Sequence, residues 1–250
     1  MRKAVLFLLL SISNACFSQS VEELIAVGNM LEKQMKETEA YYKFKEVLKQ
    51  KPGNIFALVR CSELAGRIGR LQNSKEKQLD YYKASKLYAE RALRINEDDS
   101  DANLVMAIAT GRMAMLKRGR EKVEDVRDVK KYAERAIQLN PENFKALHIL
   151  GKWNVEVSSL SALERELAKI LFGGIPKASY EVGLKYFLKA EALKPDFILN
   201  YFEMAKLYLK INKKPKAMEL LKHLLILPIS ASDDEMIKGE AKQLLMKIST

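Results

Sequence analysis

One phrase recurs five times along this 250-residue chain, and it leaves few folds open. It reads: small or branched residue, apolar residue four positions on, apolar residue three further, then a proline or its stand-in. The copies are Ala40/Phe44/Val47/Pro52, Ser85/Ala89/Ala92/Glu97, Val129/Ala133/Ala136/Pro141, Gly183/Phe187/Ala190/Pro195 and Ala217/Leu221/Leu224/Pro228. Positions i, i+4 and i+7 share one face of an α-helix. Small residues on that face let a neighbouring backbone come close, and larger ones fill the space behind. Proline cannot continue the helix and marks its end. Such self-similarity is the signature of stacked helix hairpins, none of which can bury its apolar face alone.

The spacing predicts an all-α, tetratricopeptide-like right-handed solenoid. Helix pairs are expected at about 21–36 and 38–50, 55–70 and 78–95, 100–117 and 122–138, 142–157 and 177–193, and 197–211 and 214–226. Ser20 and Glu23 form a capping box at the start. A second one, Ser161 with Glu164, opens an extra short helix at about 161–172 inside the fourth repeat. Ser232-Asp233-Asp234-Glu235 opens a last helix that caps the array and runs to about Ser249. Pro52, Glu97, Pro141 and Pro195 stand 45, 44 and 54 residues apart, more than the roughly 34 of a standard repeat. The excess is assigned to the stretches between the helices of a pair. At 48% apolar and 30% charged, the chain has the means for a continuous core and is not a disordered tail.

Residues 1–18 stand apart from the array. A basic Met1-Arg2-Lys3, an apolar run from Ala4 to Leu10 and the small-residue stretch to Ser18 have the form of a secretory signal cut before Gln19. The expected division is therefore 1–18, signal, and 19–250, repeat domain. An uncleaved anchor and a lipid-modified Cys16 are the alternatives. Cleavage would take the net charge from +11 to +9, which favours anionic partners or is simply a lysine-rich solvated surface. It would also leave Cys61 alone, with no disulfide framework or zinc spacing to join.

The segment from Gly151 to Phe197 carries a more specific pattern. It contains Gly151-x-Trp153-x-x-Glu156, then Leu163-x-Arg165 through Ala168 to Phe172, Pro176, Ser179-x-Glu181, Tyr186-Phe187 and Leu193-x-Pro195-x-Phe197. This resembles the regulator of microtubule dynamics family, tetratricopeptide-like proteins with an inserted helix in a late repeat. The resemblance is densest over 147–210. It implies the same solenoid with the same insertion, and, through the family alone, microtubule association.

Chemistry-bearing motifs are absent from the sequence. His148 and His223 fall in different repeats, without ligand-spaced partners. There is neither a P-loop nor a dinucleotide fingerprint. A non-enzymatic scaffold with no cofactor is expected. In such an array the first helix of each pair lines the concave face. Repeat phase puts Asn29, Arg60, Arg67, Arg112, His148, Lys152, Phe202 and Lys206 there, with apolar neighbours Val59, Ile108, Ile149 and Leu199. Trp153 either lines this groove or pins the inserted helix. Glu156 and Arg165 are read as a salt bridge holding the insertion to its repeat, the alternative being an acid and an anion clamp. A basic groove of this kind suits a protein or peptide partner, an acidic one in particular, and not nucleic acid. The alternative is a lipid-binding or lipid-transfer module, with anionic headgroups on the basic rim and an apolar slot near Trp153 and Phe172.

Overall fold

The computed structural model describes residues 19–249. The expected signal segment, residues 1–18, lies outside the described residues. Twelve helices and no strands occur among them. Hairpins form from α1 (Val21–Lys33) with α2 (Glu37–Gln50), α3 (Ile55–Arg70) with α4 (Lys75–Ile95), and α5 (Ser100–Ala114) with α6 (Gly119–Leu139). They continue with α7 (Phe144–Ser158) against α9 (Tyr180–Leu193), and α10 (Ile198–Lys210) against α11 (Lys214–Ile226). The insertion is α8 (Ala162–Phe172), and α12 (Asp234–Ser249) covers the last hairpin.

The repeated phrase lies on the second helix of each pair, and every one of its helical positions is buried. Each second helix packs between its own first helix and the first helix of the next pair. First helices also touch one another, α3 with α5, α5 with α7 and α7 with α10, and so line the inner face. Small residues set the approach. Ser62 on α3 and Ser85 on α4 donate their hydroxyls to each other's backbone carbonyls, both at 2.8 Å.

The first three turns between repeats follow one chemical rule, while α10 follows Phe197 without a side-chain cap. In those three the chain leaves a second helix, passes a short turn, and starts the next first helix on an Asn or Asp side chain. Asn54 accepts from Ala57 N at 2.9 Å, Asp99 from Ala102 N at 2.7 Å and Asn143 from Ala146 N at 3.1 Å. Each cap satisfies an amide that the helix itself leaves free.

In the second and third repeats the excess length is not between the helices of the pair, where the sequence reading put it, but in the second helices: α4 and α6 each have 21 residues, against 14 in α2. In the fourth repeat it does lie between them, as expected, because α9 again has 14 residues and α8 stands between α7 and α9. The helix α4 starts at Lys75, capped by Ser74, and not near Gln78. Lys75-Glu76-Lys77-Gln78 is polar, but these are good helix formers, so polarity alone misled the boundary. Likewise α6 begins at Gly119, three residues before the expected start. The insertion helix matches its expectation, with both halves of the Ser161/Glu164 capping box formed and Gly173 ending it at φ +77°.

Candidate functional site

The inner face is charged, but it is not the free basic groove expected from the sequence. Arg60 on α3 pairs with Glu32 on α1 and with Glu63 one turn along its own helix. Arg67 reaches Glu32 at 3.1 Å and Glu37 on α2 at 3.2 Å. Lys145 on α7 crosses to Glu63. Further along, Lys152 on α7 and Lys206 on α10 both hold Glu203, at 2.9 and 2.7 Å. The carboxylates are the more deeply set partners, and basic side chains cover them.

Burial pushes the Glu203 carboxyl upward, yet the two lysines outweigh it and hold it down at about 2. Burial likewise opposes ionisation of Glu63, but Lys145, Arg60 and Arg67 keep it well below the usual carboxylate range. This is the signature of buried carboxylates with strong cationic partners.

Other expected groove residues sit elsewhere. His148 is 2% exposed. It lies between Phe187 and Phe197, with Nδ1 3.0 Å from Asn200 Oδ1. The Asn200 amide nitrogen donates to Phe187 O, so its oxygen faces the ring and His148 carries its proton on Nδ1. Burial lowers its pKa to about 4 despite that hydrogen bond. Phe202 is 5% exposed, with Lys206 Nζ 4.9 Å from its ring centre. Asn29 is half-buried on α1.

Trp153 faces α6 and the stretch after α8 rather than an open groove. It is 5% exposed, donates Nε1–H to Val126 O on α6 at 2.7 Å, and packs with Val129, Val157, Ile175 and Ala178. The expected Glu156–Arg165 bridge does not form. Arg165 instead donates to Val157 O at 2.7 Å and Leu160 O at 3.3 Å, at the open end of α7, while Glu156 is exposed. Carbonyls at a helix C-terminus lack intrahelical donors, which makes them the stronger local attraction for a guanidinium. Arg127 on α6, which the sequence did not single out, donates to Gly174 O at 2.9 Å and also reaches Phe172 O. The insertion is thus held from the convex side by α6. Its outward face carries Leu163, Leu167, Ile170 and Leu171, all exposed.

Two features remain on the inner side. The first is a recess of about 410 Å³ where the starts of α3, α5 and α7 meet. Ile55, Phe56, Val59, Leu104 and Phe144 supply its apolar surface, and Glu63, Asp101, Arg60 and Lys145 are among its polar lining. The second is a contact that crosses the whole array. The turn before α12 returns to the first two hairpins. There Ser232 Oγ donates to Glu37 Oε2 at 2.6 Å, and Asp233 accepts from Arg70 at 3.3 Å. Asp234 braces the turn by accepting from the amides of Ser230 and Ala231 at 2.8 and 2.9 Å. No group of three metal-ligating side chains occurs among the described residues, and no helix there is long and apolar enough to cross a membrane.

Paired antiparallel helices, small-residue contacts and a lined inner face define a tetratricopeptide-type helical-repeat protein. A solved structure of the same kind, the thermophilic TPR protein TTC0263 of Thermus thermophilus, superposes with a TM-score of 0.64 at 14% identity. It covers 90% of this chain and 100% of that one, and the likeness is one of fold. Residues 24–249 match the family described as regulator of microtubule dynamics protein 1-3, and the chain belongs to it. The mouse regulator of microtubule dynamics protein 1 is 31% identical over 228 residues, which is 90% of this chain and 74% of that protein. The human protein of that name is 32% identical over 193 residues, 77% of this chain and 61% of the human one.

Proposed function

We propose that this chain is a non-enzymatic scaffold that binds a protein or peptide segment on its concave face. The observation that carries the reading is the recess between α3, α5 and α7. Its apolar lining suits an aliphatic or aromatic anchor side chain, and its charged lining can take the polar backbone and flanks of the same segment. The ion-paired inner face favours a partner that matches fixed positive and negative points, rather than one drawn by net charge alone.

Site-specific photo-crosslinking tests the reading. A benzophenone amino acid at Phe56, on the recess, is expected to give one discrete adduct. The same group at Leu87, exposed on α4, is expected to give none. Equal labelling at both positions, or none at either, contradicts the reading. The relatives are named for regulating microtubule dynamics, so a microtubule component is one candidate for the adduct, and co-sedimentation with microtubules reads it directly. The basic and apolar start of residues 1–18 supports export as the setting in which a partner is met. Sequencing the N-terminus of the mature protein checks it.

A further inference from the structure

We propose that the Arg70–Arg112 end of the concave face is a receptor for a segment with two consecutive acidic side chains, and that the chain's own Ser230–Asp234 turn is its resident occupant. The proposal rests on the scaffold reading only in taking the concave face as the binding face.

The first observation is the seat itself. Ser232 and Asp233 meet Glu37 and Arg70 across 195 and 163 residues of sequence. Glu37 and Asp233 are both buried. An open array needs no contact between its first and last units, because each repeat is stabilised by its neighbours. This contact is made of a hydroxyl, a carboxylate and a guanidinium rather than an apolar seam. A polar contact of this kind can be replaced group for group by another segment that brings the same hydroxyl and carboxylate.

The second observation is a charge imbalance. Glu37 answers Arg67, and Asp233 answers Arg70. Arg112 on α5 makes no ion pair or hydrogen bond among the described residues, and its Nη1 is buried without a partner. It lies 5.8 Å from the centre of the Tyr82 ring. Gly66 makes room for it: a β-carbon there would fall 1.3 Å from Arg112 Nη1. Burial, together with Arg67 and Arg70, lowers Arg112 to about 10, in spite of Tyr82 and Asp233. The single carboxylate of Asp233 thus leaves one cation unanswered. A ligand that brings a second carboxylate beside the first would answer both Arg70 and Arg112, and so would outcompete the resident turn.

Fluorescence anisotropy with a labelled synthetic peptide of residues 232–236, which lacks the Ser230 and Ala231 amides that hold Asp234 in the resident turn and so frees a second carboxylate, tests the idea on the full chain at low salt. The Ser232→Ala/Asp233→Ala protein is expected to bind the peptide about tenfold or more tighter than the unaltered protein, since the resident turn no longer competes. Adding Arg112→Ala to that variant is expected to remove the gain. Equal affinity for the unaltered and double-variant proteins, or a gain that survives Arg112→Ala, overturns the proposal. A measurement on the unaltered protein guards against variants that fold poorly. Excess of an Asp-Asp-containing peptide is expected to speed hydrogen exchange at residues 230–236, and unchanged exchange there overturns the proposal equally. A discrete adduct at Phe56 together with failure here would leave the scaffold reading standing and this one refuted.

Discussion

Gly151 stands against the ring of Phe187 so closely that a β-carbon would lie 2.5 Å from Cδ1, and Gly28 meets Phe44 in the same way at 2.7 Å. The same device thus closes the first and fourth hairpins: a glycine on the first helix admits the phenylalanine of the repeated phrase. Gly151→Ala and Gly28→Ala are each expected to destabilise the protein by about 1–3 kcal/mol through overpacking. Gly151→Ala should cost less in a Phe187→Leu background, where the ring is gone. Gly239→Ala is the control. It lies in α12 with nothing within 4 Å of its would-be β-carbon, and should gain up to about 1 kcal/mol from helix propensity. Chemical denaturation of the variants reads all of these.

Acid should weaken the fold in two overlapping stages. The buried imidazole of His148 protonates near 4 in the folded chain, but near 6.5 when unfolded. Between those values the unfolded state holds more protons, so stability falls as pH falls, by roughly 3 kcal/mol at most. Glu203 is depressed to about 2. Its contribution is complete above the ordinary carboxylate range and is lost as pH drops from there toward 2. Denaturation curves at several pH values are expected to show loss beginning below about pH 6.5. His148→Gln should flatten the upper stage and leave the lower one in place.

The insertion should loosen without the array unfolding. Trp153→Phe removes the indole's donation to Val126 O, a carbonyl within α6, at a cost of about 0.5–1.5 kcal/mol. Arg127→Ala frees Gly174 O and Phe172 O. Hydrogen exchange is expected to rise over residues 162–178 in both variants and to stay unchanged in α3 and α4. A uniform rise along the chain would show that the insertion is not an independent unit.

What the sequence disclosed follows from the range of the interactions. The phrase at Ala40/Phe44/Val47 and its copies repeats at helical spacing, so the hairpins and their buried faces were legible. Ser161 and Glu164 sit three residues apart, which made the start of α8 legible as well. The Arg60–Glu63 and Lys206–Glu203 pairs are also three residues apart on one helix and could have been read as neighbours. The reach of Lys145 to Glu63, or of Ser232 to Glu37, joins repeats far apart in the chain and leaves no local trace. Arg165 and Arg127 found backbone carbonyls, acceptors that every residue carries and that no residue type announces. For that reason the groove looked basic in sequence, whereas Arg60, Arg67, Lys152 and Lys206 are paired in the structure.

The account turns on an array whose last turn closes back onto its first hairpins. The distance between spin labels at Met35, in the turn beside Glu37, and Ile229, beside Ser230, tests this most directly. Both positions are exposed and Cys61 is fully buried. A single narrow distance under about 25 Å is expected, given how few residues separate each label from the contact. A broad distribution centred beyond about 40 Å, the mark of separated ends, would contradict it.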